Sequence, residues 1–280
     1  MVTVGIVSPG QMGAGLGGAL HAGGARVVAT TAGRSARTRR LAAGLRLLPS
    51  LDEVVAIADV VLSVTPPGQA VAAAGSIAEA ARRTGTTPLV ADLNAVAPPT
   101  MARIADACAG LPLVDGSISG PPPSVRPGAR IFLSGPRAAE VAGLPWDGRV
   151  EPVVLDAGLG AASALKMCTA SVYKGLNALV TQAMRTAGRY GVLDQVVADL
   201  ARNDLDGSAG VVVAATKAHR FVDEMREIAT TQAGAGLTPA LFEAFAAVYA
   251  DVAGTALAAA DPETADQRLA GEEIVRRLSR

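Results

Sequence analysis

Aromatic side chains are scarce in this chain of 280 residues: one tryptophan, three tyrosines and four phenylalanines leave the core to small residues and close backbone approach. A core of that kind suits tightly packed helices. Cysteine is nearly absent as well. Cys108 and Cys168 show no CxxC or CxH spacing, which argues against a disulfide framework and a zinc site, so no metal is expected and both are read as free core thiols. Net charge is missing too, because 25 Lys and Arg balance 25 Asp and Glu. No field draws the chain to nucleic acid or to an anionic membrane, and the expected partners are a small-molecule substrate and a second copy of the chain. No apolar run reaches the roughly 18 residues of a membrane span. The stretch from Met1 to Gly13 has neither the charged opening nor the small-residue cleavage site of a signal peptide. A soluble, cytoplasmic protein is the expectation.

What the chain does have is an apolar half, 50% of its residues, and two successive rhythms. Up to about residue 156, short β-branched runs alternate with helical patterns rich in Ala, Arg and Glu, the signature of βαβ units and a mainly parallel sheet. Strands are expected at residues 3–7, 26–31, 59–65, 88–93, 113–118, 130–134 and 153–156, with helices at 11–22, 36–43, 69–83 and 99–109. Beyond Gly160 the strand signals stop and helical patterns follow, broken near 188–191, 203–210, 234–239 and 261–262. Val211 to Val213 is β-prone, yet it leads into a helical pattern from Lys217 to Ile228 and is assigned to helix. The expected class is α/β: a Rossmann-type doubly wound sheet over residues 1–156, then an all-α domain over 157–280.

Directly after the first strand stands Ser8-Pro9-Gly10-Gln11-Met12-Gly13, opening a helix. That is where a G-x-G-x-x-G turn presents backbone N–H groups to the pyrophosphate of a dinucleotide, with Gly10 allowing close approach and Gly13 close helix-to-strand packing. Ser8 replaces the first glycine. At the end of the second strand an NAD enzyme offers Asp or Glu to the ribose hydroxyls. Here Thr31 is followed by Arg34, Ser35, Arg37, Arg39 and Arg40, and a guanidinium holds a 2′-phosphate in bidentate fashion. NADP is therefore expected rather than NAD, with Thr31 and Arg34 as its readers. Asn94, ending the Asp92-Leu93-Asn94 strand on the ligand edge, is a further candidate contact, while Asp92 and Asp115 are read equally well as loop caps.

Together these segments resemble the β-hydroxyacid dehydrogenase superfamily, which includes 6-phosphogluconate dehydrogenases and imine reductases. The likeness spans nearly the whole chain. Val64-Thr65-Pro66-Pro67 is similar to the family's loop along the nicotinamide side, Asp115 to Pro121 to its substrate segment D-x-x-V-S-G-G, and Gly158-Leu159-Gly160 leading to Lys166 to its catalytic-lysine segment. The phrases from Ala164 to Met167, at Lys174-Gly175 and from Glu224 to Ala229 resemble a little-characterised bacterial branch. The resemblance implies cofactor contacts at Val64, Thr65 and Pro66, substrate contacts at Ser119 and Gly120, and dimerisation through the helical domain. Two departures touch the chemistry: Pro121 stands where the family has a glycine N–H, and Ala170 where it commonly has asparagine four residues after the lysine.

Hydride transfer to or from a carbonyl carbon needs a group that exchanges the hydroxyl proton and stabilises charge on oxygen. Lys166 is the candidate, its helix face shared with Ala170, Tyr173, Lys174 and Asn177 by the i, i+3, i+4 rule. Tyr173 is a second proton donor, Lys174 a substrate contact, and Lys174 together with burial is expected to depress the Lys166 pKa. His219 and His21 are read as surface and structural residues. Three functions follow as expectations. The first is an NADP-linked oxidoreductase of a small hydroxy acid or its oxo form. The second is an imine reductase in the same pocket, and the third an NADPH-binding protein without turnover.

Overall fold

The computed structural model describes all of residues 1–280 except Ala109, Asp206 and Arg280. It divides into two compact units, Met1–Met167 and Cys168–Arg280. The first runs β1 (Thr3–Val7), α1 (Gln11–Ala22), β2 (Arg26–Ala29), α2 (Ala36–Leu41), β3 (Arg46–Leu47), α3 (Leu51–Ile57), β4 (Val60–Ser63), α4 (Ala70–Thr84), β5 (Leu89–Asp92), α5 (Pro98–Ala107), β6 (Leu113–Ser119), β7 (Ala129–Ser134), α6 (Ala138–Ala142) and β8 (Val150–Val154). The long helix α7 (Ala161–Tyr190) begins in this unit and continues into the second.

The eight strands form one sheet in the order β3-β2-β1-β4-β5-β6-β7-β8. The chain builds outward from β1 to β3, returns beside β1 with β4, and builds outward the other way, so the strand order reverses between β1 and β4. A switch of this kind opens a crevice at the carboxyl ends of the strands. Alternate side chains of one strand enter different cores: Val60 and Leu62 of β4 join one buried cluster with Ile6, Leu16 and Leu20, while Val61 joins another with Ile77, Met101 and Ile104. Both faces are therefore covered, as continuous apolar strands require.

The doubly wound sheet agrees with the sequence expectation, and the exceptions have local causes. β7 pairs antiparallel with β6. The connection between them, residues 120–128, is short and carries four prolines, too little chain for the dozen or so residues of a parallel crossover. β3 is a two-residue edge strand, and α3 was marked in the sequence only by its capping box: Ser50 Oγ accepts from Glu53 N at 3.2 Å and donates to the Glu53 carboxylate at 3.3 Å. β2 stops at Ala29, short of the expected Thr31, and β8 starts three residues before the expected Val153. The helix expected to end at Ala109 ends at Ala107, and Ala109 itself lies outside the described residues, as does Asp206 in the expected break at 203–210.

The second unit continues α7 and adds α8 (Leu193–Ala201), α9 (Ser208–Ala215), α10 (Ala218–Gly234), α11 (Ala240–Ala253) and α12 (Gly271–Leu278), with no strand among the described residues. Val211 to Val213 lie in α9, as assigned. The few aromatics concentrate here: Phe221 of α10 meets Tyr249 of α11 edge to face at 5.2 Å, and Phe242 meets Phe245 at 5.9 Å. Cys108 is buried, but Cys168 is exposed, which corrects its reading as a core thiol. It sits on the part of α7 that carries exposed side chains.

Candidate active site

β1 runs straight into the glycine-poor turn. Ser8 takes the left-handed conformation, φ 65°, where glycine is usual, and its carbonyl accepts from Gly10 N at 2.7 Å. A Cβ on Gly13 would lie 2.7 Å from that same carbonyl oxygen, so α1 packs on the turn only because residue 13 is glycine. A Cβ on Gly10 would meet nothing within 4 Å. No side chain caps α1 at Gly10. The turn therefore presents an open backbone face at the positive end of a helix.

At the end of β2, Thr30 Oγ1 accepts from Ala32 N at 3.2 Å, and Arg34 N donates to Thr31 O at 3.0 Å, folding residues 30–34 into a tight turn. Ser35 caps α2 through Thr38 N. Arg39 donates to Arg34 O at 2.6 Å, so it holds the turn's shape while it stays exposed. The Arg34 side chain is half-buried, and no carboxylate follows β2 before Asp52.

The loop after β4 is tied to its neighbours at both sides. Val64 N donates to Val7 O at 3.2 Å, and Thr65 N donates to Asn94 Oδ1 at 2.5 Å. Asn94 in turn donates from Nδ2 to Asp92 Oδ2 at 2.7 Å and to Ser63 Oγ at 3.1 Å. Both amide protons of Asn94 are thus used inside the protein, and its side chain braces the Val64-Thr65-Pro66 loop. Thr65 Oγ1 is buried and has no hydrogen-bond partner in the protein. Asp92 caps the loop after its strand, accepting from Asn94 N at 3.1 Å, but it is also fully buried, and burial pushes its carboxyl up to about 7, with Asn94 opposing that rise and the Asp115 charge adding to it.

Asp115 is a buried carboxylate within β6 whose capping partners lie far along the chain, at the start of α7. It accepts from Gly160 N, Ser163 N and Ser163 Oγ at 2.9, 3.1 and 2.7 Å, and from Ser134 Oγ at 3.1 Å. Three residues further along β6, Ile118 O accepts from Lys166 Nζ at 2.6 Å. Burial lowers the Lys166 pKa below the ordinary lysine value. Ser119 and Gly120 follow at the end of the same strand. The structure thus brings Lys166 to the segment expected to hold substrate. Both carboxylates were visible in the sequence as charges inside apolar strands, a position a charge keeps only with partners.

Tyr173 and Lys174 lie in the second unit. Tyr173 is 71% exposed. Lys174 pairs with the buried Glu224 and stands 4.7 Å from the centre of the Phe221 ring. Its charge is committed there, and the depression of the Lys166 pKa comes from burial, which corrects the expectation that Lys174 contributes. His21 and His219 are both exposed. Among the described residues no group of His, Cys, Asp and Glu could hold a metal ion.

Residues 3–143 match the NAD binding domain of 6-phosphogluconate dehydrogenase. The chain belongs to this family. Residues 187–252 match a domain of unknown function, DUF1932. No curated protein matches the chain. Among solved structures, a conserved hypothetical protein from Sinorhizobium meliloti 1021 is similar, with 28% identity, TM-score 0.62, and 99% of this chain and 96% of that chain covered. The 3-hydroxyisobutyrate dehydrogenase of Mycobacterium tuberculosis shares the fold at 20% identity and TM-score 0.64, covering all of both chains (100% each). An imine reductase of Streptomyces aurantiacus shares it at 19% identity and TM-score 0.54, covering 99% and 100%.

The first unit fits the dinucleotide that the 6-phosphogluconate dehydrogenase NAD-binding family holds. The opening over Gly10 leaves room for a phosphate against the first turn of α1. The parallel strands β1, β2, β4, β5 and β6 all end on one edge, with the switch between β1 and β4. On that edge Thr65 Oγ1 is a buried polar atom still lacking a partner.

Proposed function

We propose that the protein is an NADP-dependent oxidoreductase acting on a small hydroxy acid or its oxo form, with Lys166 as general acid and base. The observation that carries this reading is the half-buried Lys166 ammonium held at 2.6 Å on Ile118 O, one residue before Ser119 and Gly120. When bound, the nicotinamide supplies or accepts the hydride. Lys166 hands a proton to the substrate oxygen as negative charge gathers there, and recovers it in the reverse direction. Its lowered pKa brings that exchange closer to neutral pH, and the Ile118 carbonyl orients the ammonium. Ser119 Oγ and Gly120 N orient the polar end of the substrate.

In this reading the turn Ser8-Pro9-Gly10-Gln11-Met12-Gly13 holds the pyrophosphate. Thr31 and Arg34 hold the 2′-phosphate, and Val64, Thr65 and Pro66 line the nicotinamide side. Asn94 acts through its brace on Thr65. Lys174 is left out of the substrate site because Glu224 takes its charge. Imine reduction is the second reading, favoured by two observations: Pro121 offers no N–H to a carboxylate, and Ala170, buried at 4% exposure, puts no polar group four residues after Lys166. Tyr173 is the proton donor in that reading.

A second copy of the chain is the proposed partner. Val172, Leu176 and Leu179 form an exposed apolar stripe on α7, 65%, 39% and 56% exposed, at the spacing of one helix face. The cytoplasm suits a chain with free thiols and an NADPH requirement. The test of function is oxidation of NADPH with panels of oxo acids and cyclic imines. Turnover of an oxo acid that falls at least a hundredfold in Lys166→Ala is expected; turnover that survives this substitution overturns the mechanism, and turnover of imines alone favours the second reading.

A further inference from the structure

α7 begins without a cap of its own. Its first turn holds no acidic residue. Backbone N–H groups at the start of a helix nonetheless need acceptors when buried. Here they are supplied from the sheet: Asp115 on β6 takes Gly160 N at 2.9 Å and Ser163 N at 3.1 Å, and Ser134 on β7 takes Ala162 N at 3.1 Å. Asp115 also accepts from Ser163 Oγ at 2.7 Å and from Ser134 Oγ at 3.1 Å, so one carboxylate joins the two capping side chains. Fully buried, it is held by four hydrogen bonds and the positive end of α7.

The same two elements meet again one step on. Lys166 lies three residues beyond Ser163 on α7, and Ile118 lies three residues beyond Asp115 on β6; their contact is the 2.6 Å bond from Nζ to the carbonyl. The carboxylate and the lysine are the two ends of one junction between β6 and α7.

We propose that Asp115, with Ser163 and Ser134, is the positioning residue of Lys166: it fixes the first turn of α7 in register with β6 and so keeps the lysine against Ile118 O, beside Ser119 and Gly120. This rests on the reading of Lys166 as the acid–base group, but its test needs no substrate. If the junction loosens, Lys166 leaves its buried place, and because burial is what lowers its pKa, its titration moves up toward that of an ordinary lysine.

The chain has only three lysines, Lys166, Lys174 and Lys217, which makes amine labelling readable. The full-length protein and its Ser163→Ala and Asp115→Asn variants are labelled with acetic anhydride from pH 6 to 11, and each lysine peptide is quantified by mass spectrometry. Ser163→Ala removes one of the four bonds; Asp115→Asn removes the charge while its oxygen still accepts and its NH2 donates to Ser163 Oγ. The expected result is an upward move of the Lys166 midpoint in both variants, with at least threefold slower labelling than in the native chain at pH 8 relative to the N-terminal amine, and an unchanged Lys217 midpoint. Folded variants, by circular dichroism, whose melting temperature falls while the Lys166 midpoint stays put would overturn the proposal and leave Asp115 a structural residue. The two readings fail separately. A shifted midpoint together with full turnover by Lys166→Ala keeps the positioning role and removes the catalytic one.

Discussion

At the scale of single residues, the proposed cofactor site depends on two unequal positions, one in the turn after β1 and one in the turn after β2. Gly13 has no room for a side chain, since its Cβ would stand 2.7 Å from a backbone oxygen that cannot swing away. Gly13→Ala is expected to displace α1 from the turn, destabilise the first unit by about 1–3 kcal/mol, and weaken NADPH binding at least tenfold by fluorescence titration. Arg34 acts differently, because the fold does not need its half-exposed side chain. Arg34→Ala should leave the melting temperature within a degree or two, weaken NADPH binding by about tenfold or more, and change NADH binding little; equal losses for the two cofactors would show that Arg34 does not read the 2′-phosphate. The places of the turn after β1 and of the arginine segment after β2 were legible from the sequence because each follows a strand end. The shape that fixes them, Ser8 at φ 65° and Arg39 bonded to Arg34 O, was not.

At the scale of elements, β5 and β6 place Asp92 and Asp115 opposite each other in register. One braces the loop after β4 through Asn94, and the other caps α7. Asp115 has four donors and Asp92 carries the raised pKa, about 7 against 3.8 for the free side chain. Between these two values the folded protein binds a proton that the unfolded chain does not, so stability falls as pH rises through this window and levels off above it. Surface carboxylates whose pKa values are lowered by arginines, such as the partly exposed Glu273, act at more acid pH and do not obscure the effect. The melting temperature should therefore decline from pH 5 to pH 7.5, and Asp92→Asn should flatten that decline; a native profile already flat over this range would count against a protonated Asp92. Strand positions were readable here from apolar runs, whereas the pairing of two carboxylates required the register of neighbouring strands.

At the scale of the whole molecule, the apolar stripe of Val172, Leu176 and Leu179 is the feature a second copy would cover. The alanine-rich segment from Ala240 to Ala260 is less available, because α11 already turns Phe242, Phe245, Tyr249 and Val252 inward. The native chain is expected to size as a dimer, and Leu179→Glu as a folded monomer by multi-angle light scattering, with a dimeric variant ruling out this face. Local periodicity and turn chemistry sufficed for most strands and helices, for the glycine-containing turn at the first βα junction and for the change to helix beyond Gly160, though not for β3, α3 or α6. Tertiary structure decided the rest. It made β7 antiparallel, moved Cys168 outward and gave Lys174 to Glu224. It also made Asp115 the cap of the helix that carries Lys166, because each of these depends on which residues distant in sequence are brought within hydrogen-bonding reach.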